Sequence, residues 1–245
     1  MEQTNSAGLA ALLAQTDTLG KALLVLLLLM SLATWSLIVT KALSNWIERR
    51  RSERFVASFW QAPSLSALES HLESAQAADA FSRLTQQALS AARHHQRSGA
   101  ARALESPAAA EFLTRAMRRA IDEDTARLES GLTVLASVGS TAPFVGLLGT
   151  VWGVYHALVS IGLSGQGTLD KVAGPVGEAL IMTALGLAVA IPAVLAYNGF
   201  VRANRLTLAR LDAFAHDVYA LLTVGVQAAE PRAVVVPMTP ATKGA

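Results

Sequence analysis

The residue best placed to do chemistry is a single acid, Glu178, at the edge of a stretch without other charge. The 23 residues that follow it contain no Asp, Glu, Lys or Arg. An ionisable side chain in such surroundings is typical of proton and ion pathways through membranes. Spacing alone leaves two interpretations open. With Pro175 as a first helical residue, Glu178 is a first-turn acid matched to the helix dipole; otherwise it is a buried, protonatable group.

Hydroxyl and small side chains accompany this acid in two apolar stretches. Thr183 follows Glu178 by five residues, about 140° around a helix, so the two do not stack but could border one wide polar sector. Thr150 lies in the preceding apolar stretch, where hydroxyls either bond to their own helix or line a polar cavity. Both interpretations remain open. Residues predicted to serve close helix packing or kinks are Gly139, Pro143, Gly146, Gly149, Gly153 and Pro192.

Constellations for catalysis or metal binding are missing from the sequence. The chain has no Cys, which excludes disulfides, thiolate zinc sites, Cys-ligated iron–sulfur clusters and a Cys nucleophile. The His94–His95 pair has no acidic partner at helical spacing and favours a solvated loop over a metal site. His156 could approach Glu178 across a short connection. We therefore predict that the protein is not an enzyme and has no resident metal or cofactor.

Three long uncharged stretches are the elements that must position these residues. Charged residues make up 16% of the 245 residues, against about 25% in ordinary soluble domains. The stretches comprise 19 residues after Lys21, 40 after Glu129 and 23 after Glu178. Each is long enough to cross a bilayer core of about 30 Å as a helix. The sequence predicts an all-α, polytopic membrane protein with three transmembrane helices, and its net charge of +2 argues against nucleic-acid binding.

Basic residues predict the orientation. Residues 45–130 carry 12 Lys and Arg and residues 202–245 carry five, whereas residues 1–20 carry none, which places the first two segments inside. The acidic leader and the basic flank after the first stretch favour a retained anchor over a cleaved signal peptide. The predicted organisation is a periplasmic N-terminus (1–20), transmembrane helix 1 (21–44), a cytoplasmic helical domain (45–130), transmembrane helix 2 (131–162), a periplasmic turn (163–177), transmembrane helix 3 (178–202), a cytoplasmic helix (203–227) and a flexible tail (228–245).

Helices 2 and 3 are predicted to be long and to extend beyond the membrane. Apolar residues recur at helical spacing from Leu113 to Leu128 before the second crossing, and from Leu208 to Leu222 after the third. No Pro or Gly intervenes between Pro107 and Gly131. We therefore expect both helices to continue into a cytoplasmic helical bundle.

Three segments carry a recognisable pattern: GSTAPFVGLLGTVWG (139–153), VAGPVGEAL (172–180) and AIPAVLAYN (190–198). Together they resemble the ExbB/TolQ family, which is related more distantly to the flagellar stator protein MotA. The resemblance is dense from about residue 137 to 200, whereas residues 1–130 match by topology and length. The run from Lys171 to Glu178 is more similar to the ExbB branch than to the TolQ branch.

The resemblance implies a proton channel of the bacterial inner membrane. Family members form homo-pentamers whose second and third helices line a pore around two ExbD-like single-span proteins. They use the proton motive force to energise a TonB-like protein for uptake of iron-siderophores and vitamin B12. The family's pore glutamate maps to Glu178 and its two pore threonines map to Thr150 and Thr183, beside an Asp of the partner helix. The family usually has another residue at position 156, so the resemblance gives His156 no role.

Two other functions stay open at this point. A TolQ-like subunit of the Tol-Pal envelope system would use the same chemistry for another client. A non-conducting assembly scaffold would use its helices only to hold other proteins together, and it predicts that Glu178 is dispensable.

Overall fold

The computed structural model describes residues 17–62, 67–68, 72, 79–97, 107–164 and 169–224, and the regular secondary structure of those residues is all α-helix. This confirms the all-α fold class. The predicted flexible tail and most of the predicted periplasmic N-terminus lie outside the described residues. The helices whose bounds are described are α1 (Thr18–Gln61), α2 (Ala80–Arg97), α3 (Pro107–Glu129), α4 (Leu132–Ser164) and α5 (Leu169–Val224).

Three helical segments are long and apolar enough to cross a membrane. They are Thr18–Gln61, Ala110–Leu163 and Ala179–Thr223, which confirms the prediction of a polytopic protein with long second and third helices. Helix α5 begins at Leu169, within the stretch predicted as a periplasmic turn. The levels at which the membrane surfaces cross the helices stay predictions.

A single turn at Ser130 and Gly131 separates α3 from α4. Gly131 has a φ of 78°, in the left-handed region that residues with a Cβ seldom adopt. Carbonyl groups in the last turn of a helix lack the amide partners that a continuing helix would supply. The carbonyl of Leu128 instead accepts hydrogen bonds from Lys41 Nζ and Asn204 Nδ2, each at 2.8 Å. One carbonyl thus joins α1, α3 and α5 at this turn.

The chain divides into two compact units, of which the first comprises residues up to Arg50 together with Asp122–Arg210. Its core is built mainly from small and aliphatic side chains of three helices, which allows the backbones to lie close together. The buried members are Leu23 and Leu27 of α1, Val138 and Ala142 of α4, and Met182, Ala190 and Ala193 of α5.

The second unit, residues 51–121 and 211 onward, has an aromatic core. The ring of Phe214 lies 4.9 Å from that of Phe59 and 5.3 Å from that of Phe81, between centroids. Buried Asp79 caps α2, since its Oδ1 accepts the backbone N–H groups of Phe81 and Ser82 at 3.0 and 3.2 Å. This unit is a helical bundle with an aromatic and aliphatic core.

The prediction of a loop at His94–His95 is wrong. His94 lies in the last turns of α2, which continues to Arg97. The preceding residues are rich in Ala, Gln, Leu and Arg, which favour helix strongly enough to carry the helix through the His pair. The ring of His94 packs 6.4 Å from the ring of Phe112 on α3, measured between centroids.

Candidate functional site

Helices α4 and α5 lie backbone to backbone where Gly146 faces Gly186. A Cβ added to Gly146 would lie 2.6 Å from the carbonyl oxygen of Met182 and 3.0 Å from the Cα of Gly186. A Cβ added to Gly186 would lie 2.6 Å from the carbonyl oxygen of Ala142. Real Cβ atoms do not approach backbone atoms this closely, so both positions require glycine. This pair sets the distance between the two helices.

The other predicted packing glycines of α4 lie on the same face. A Cβ at Gly153 would lie 2.9 Å from the Cβ of Ala179, and one at Gly139 would lie 2.5 Å from Val194 Cγ2. Gly149 contacts the side chain of Met182, where an added Cβ would lie 2.6 Å from its Cε. The small residues of α5 in this interface, Ala179 and Gly186, are absent from the sequence analysis. A search for small residues at helical spacing along the third apolar stretch would have found them.

The predicted prolines, Pro143 and Pro192, lie inside α4 and α5 and are half-buried. Proline has no N–H, so each removes the helical donor to the carbonyl four residues earlier. In the small-residue stretch before Pro143, Ser140 and Thr141 both donate to the carbonyl of Ser137, at 3.0 and 2.7 Å. These hydroxyls are exposed and bonded within their own helix.

Thr150 and Thr183 form a hydroxyl pair across the α4–α5 interface. Their Oγ1 atoms lie 2.5 Å apart, and Thr150 Oγ1 also lies 2.9 Å from the carbonyl oxygen of Ala179 and 3.2 Å from that of Gly146. The arrangement that uses both hydroxyl protons has Thr183 donating to Thr150, and Thr150 donating to Ala179. A hydroxyl that accepts one hydrogen bond and donates another can pass a proton along such a chain.

Glu178 lies on the helical backbone of α5, and its side chain lies outside the described residues. It precedes Ala179, whose contact with Gly153 places this level of α5 beside the C-terminal half of α4. Thr183 is five residues further along α5, about 7.5 Å along the axis at 1.5 Å per residue. The structure thus brings Thr150 and Thr183 together and places the backbone of Glu178 less than two turns from them.

A polar cluster ties α4 to the start of α1. Asp17 Oδ2 accepts a hydrogen bond from Trp152 Nε1 at 2.6 Å and lies 3.7 Å from His156 Nε2. Asp17 Oδ1 caps α1 by accepting the N–H of Gly20 at 2.9 Å. Sequence patterns do not predict this cluster. Asp17 is an N-cap signal, but nothing local pairs it with residues 135 positions away or more.

The surroundings of Asp17 stabilise its charged form. The hydrogen bonds from the Gly20 N–H and the Trp152 indole N–H, together with electrostatic attraction to His156, lower the pKa of Asp17 below 3.8, although burial acts in the opposite direction. Since the lowered value belongs to the folded state, the stability contributed by this carboxylate is complete above about pH 4. It is lost as the pH falls through the folded-state pKa.

We expect Asp17→Asn to show at neutral pH the same loss of stability that acid causes in the wild type. Asn retains a carbonyl oxygen for capping but has no charge, so the difference in Tm between wild type and variant should shrink as the pH falls from 6 to below 4. Thermal unfolding of the solubilised full-length chain measures it. Asp17→Ala also removes the cap and should cost about 1 kcal/mol, or about 2–4 °C. A difference between wild type and Asp17→Asn that is constant with pH would contradict the assigned charge effect.

Comparison with known proteins places most of this architecture in one family. Residues 76–213 match the MotA/TolQ/ExbB proton channel family. The chain is 45% identical over 204 residues to a biopolymer transport protein ExbB of Xanthomonas campestris pv. campestris (strain B100), covering 82% of this chain and 81% of that protein. It is 44% identical over 199 residues to an ExbB of Neisseria meningitidis serogroup A, covering 81% and 89%. It is 34% identical over 204 residues to a Tol-Pal system protein TolQ of Pseudomonas aeruginosa, covering 78% and 82%.

Proposed function

The chain belongs to the MotA/TolQ/ExbB proton channel family, and we propose that it is the channel subunit of an ExbB–ExbD–TonB type complex. Such a complex uses the proton motive force across the inner membrane to drive TonB-dependent uptake through the outer membrane. The observation that carries the proposal is the 45% identity to an ExbB over 82% of the chain. The corresponding identity to a TolQ is 34%.

We further propose a homo-pentamer that encloses two ExbD-like single-span helices and works on a TonB-like protein. Large apolar side chains support an assembly in the membrane, since α4 and α5 leave Phe144, Leu163 and Leu195 among the most exposed large hydrophobic residues of the described chain. The count of basic residues supports a periplasmic N-terminus and a cytoplasmic C-terminus.

In the proposed pathway, Glu178 takes up a proton from the periplasmic side and releases it towards the hydroxyl pair. Thr150 and Thr183 then pass the proton, or orient water that does so, beside an acid of the enclosed partner helix. The 2.5 Å separation of their oxygens and the acceptor at Ala179 support this role. The chain moves protons without making or breaking a covalent bond in a substrate, so the proposal is transport rather than catalysis.

Thr150→Val should lower proton flux through the reconstituted complex about tenfold or more, because it removes the hydroxyl that lies between the Thr183 hydroxyl and the Ala179 carbonyl while keeping the side-chain shape. Flux is measured with a pH-sensitive dye in proteoliposomes that hold the full complex. Thr141→Val is the matched control, since Thr141 bonds only to the carbonyl of Ser137 on its own helix among the described contacts. Equal flux for Thr150→Val and Thr141→Val would contradict the relay.

Complementation tests the proposed function against its nearest alternative. Expression in a host without its own ExbB should restore growth on an iron-siderophore. Expression in a host without TolQ should not restore resistance to detergents. The host without TolQ is included because the chain is also 34% identical to a TolQ. Rescue of detergent resistance without rescue of siderophore uptake would assign the chain to the Tol-Pal system instead.

A further inference from the structure

One face of α1 carries a continuous apolar stripe that no described residue covers. Its members recur every three or four residues, so they lie along one side of the helix. The opposite side is buried, with Leu23 and Leu27 in the core of the first unit. The stripe consists of exposed Val25, Leu28, Leu32, Trp35, Val39, Leu43 and Trp46. An apolar surface of this length on a membrane-spanning helix is suited to an acyl chain.

The stripe ends in a stacked aromatic and basic pair. The Arg50 guanidinium carbon lies 4.1 Å from the centroid of the Trp46 ring, one helical turn further along. Arg50 is exposed, and stacking holds its guanidinium in a fixed plane. The N–H groups of a guanidinium match the oxygens of a phosphate. Tryptophan is enriched at the level of lipid headgroups. Arg49 and Arg51 flank Arg50 in the sequence and add positive charge at the same level.

The segment around this pair carries more positive than negative charge. Residues 48–54 contain four arginines and two acids, Glu48 and Glu53, and Glu53 lies one turn beyond Arg50 on the same side of the helix. Glu48 follows Trp46 by two residues, which is about 200° around the helix, and it is half-buried. The exposed end of the stripe therefore presents positive charge beside an aromatic ring and an apolar track. A lipid with an uncharged or zwitterionic headgroup could contact the Trp46 ring and the stripe, but it would not neutralise the excess positive charge.

We propose that Trp46 and Arg50 form a binding site for an anionic phospholipid of the inner leaflet. The lipid phosphate accepts hydrogen bonds from the Arg50 guanidinium, and one acyl chain lies along the stripe from Leu43 towards Trp35. This inference goes beyond the proposed function: it rests on the three membrane-spanning segments and on the predicted inner location of the basic flank, and not on proton conduction.

Fluorescence quenching by brominated lipids tests the site. The full-length chain is placed in nanodiscs of equal parts phosphatidylglycerol and phosphatidylcholine, with bromine on one lipid at a time. The signal of Trp46 is obtained by subtracting the quenching measured for Trp46→Phe. We expect phosphatidylglycerol to be enriched about fivefold over phosphatidylcholine at Trp46 in low salt, and the enrichment to fall as salt is raised.

Variants at Arg50 separate the site from general attraction to the membrane. Arg50→Gln should bring the enrichment to about one, whereas Arg50→Lys should keep part of it. Arg205→Gln is the matched control, since Arg205 is an exposed arginine of α5 away from the stripe, and it should leave the ratio unchanged. Circular dichroism and gel filtration verify that each variant is folded and assembled.

Three outcomes would overturn the proposal. Equal quenching of wild-type Trp46 by both lipids would show that the site does not select charge. An Arg50→Gln variant that keeps the full enrichment would assign the selection to other residues. Failure of either lipid to quench Trp46 would mean that protein, such as a second copy of the chain, covers the stripe.

Discussion

Replacing Glu178 with Gln is expected to abolish proton flux and energised uptake, with a loss of a hundredfold or more in each, while the complex still assembles. Gln has nearly the same shape as Glu and can donate and accept hydrogen bonds, but it neither binds nor releases a proton. Glu178 is followed by 23 residues without charge, so no other side chain of that stretch can take over the transfer. Proteoliposome flux and siderophore-dependent growth measure the two losses.

The same variant separates a proton channel from a non-conducting scaffold. Glu178→Asp keeps an acid on a shorter side chain and should retain part of the flux. Asp212→Asn is the matched control, since Asp212 is an exposed acid on the same helix in the second unit, and it should change neither readout. Normal uptake by Glu178→Gln in a fully assembled complex would support the scaffold and contradict the proton pathway.

Charge placement along the chain was enough to predict the fold class. Crossing a membrane requires long uncharged helices, and that requirement is visible residue by residue without knowledge of any contact. The break at Gly131 was harder to predict. A helix can continue through a glycine. The break instead depends on hydrogen bonds to the Leu128 carbonyl from Lys41 and Asn204, which lie in distant parts of the chain.

The candidate site was predictable in its residue types but not in its pairings. From sequence alone, two interpretations of Thr150 stayed open: its hydroxyl bonds to its own helix, or it faces a polar partner. In the structure its hydroxyl lies within hydrogen-bonding distance of both Gly146 on its own helix and Thr183 on the other. This depends on the register of α4 against α5, which is set where Gly146 meets Gly186. A one-dimensional pattern contains no such register.

The partner of His156 was also not predictable from the sequence. Its place near the outer end of α4 suggested an approach to Glu178, but its charged partner among the described residues is Asp17. Asp17 reaches it because it caps α1, which packs against α4 through Leu23 and Leu27. The partner of His156 is therefore set by packing between helices that are far apart in sequence, and local spacing could not predict it.

Gly146→Ala is expected to destabilise the protein, although the same change at most helical glycines stabilises it. In an exposed helix, Ala is favoured over Gly by about 1 kcal/mol. At Gly146 the new Cβ would lie 2.6 Å from the backbone oxygen of Met182, which cannot move without displacing α5. Overpacking of this kind costs about 1–3 kcal/mol, so we expect Tm to fall by several degrees.

Gly146→Ala should push α4 away from α5, and this movement links the loss of stability to a loss of function. Thr150 lies one turn from Gly146, and its 2.9 Å contact with the Ala179 carbonyl crosses the same interface, so proton flux should fall together with Tm. Gly162→Ala is the matched control on α4, because no atom of the described chain lies within 4 Å of the added Cβ. A Tm for Gly146→Ala equal to or above that of Gly162→Ala would mean that the two helices are not held at the distance that these glycines require.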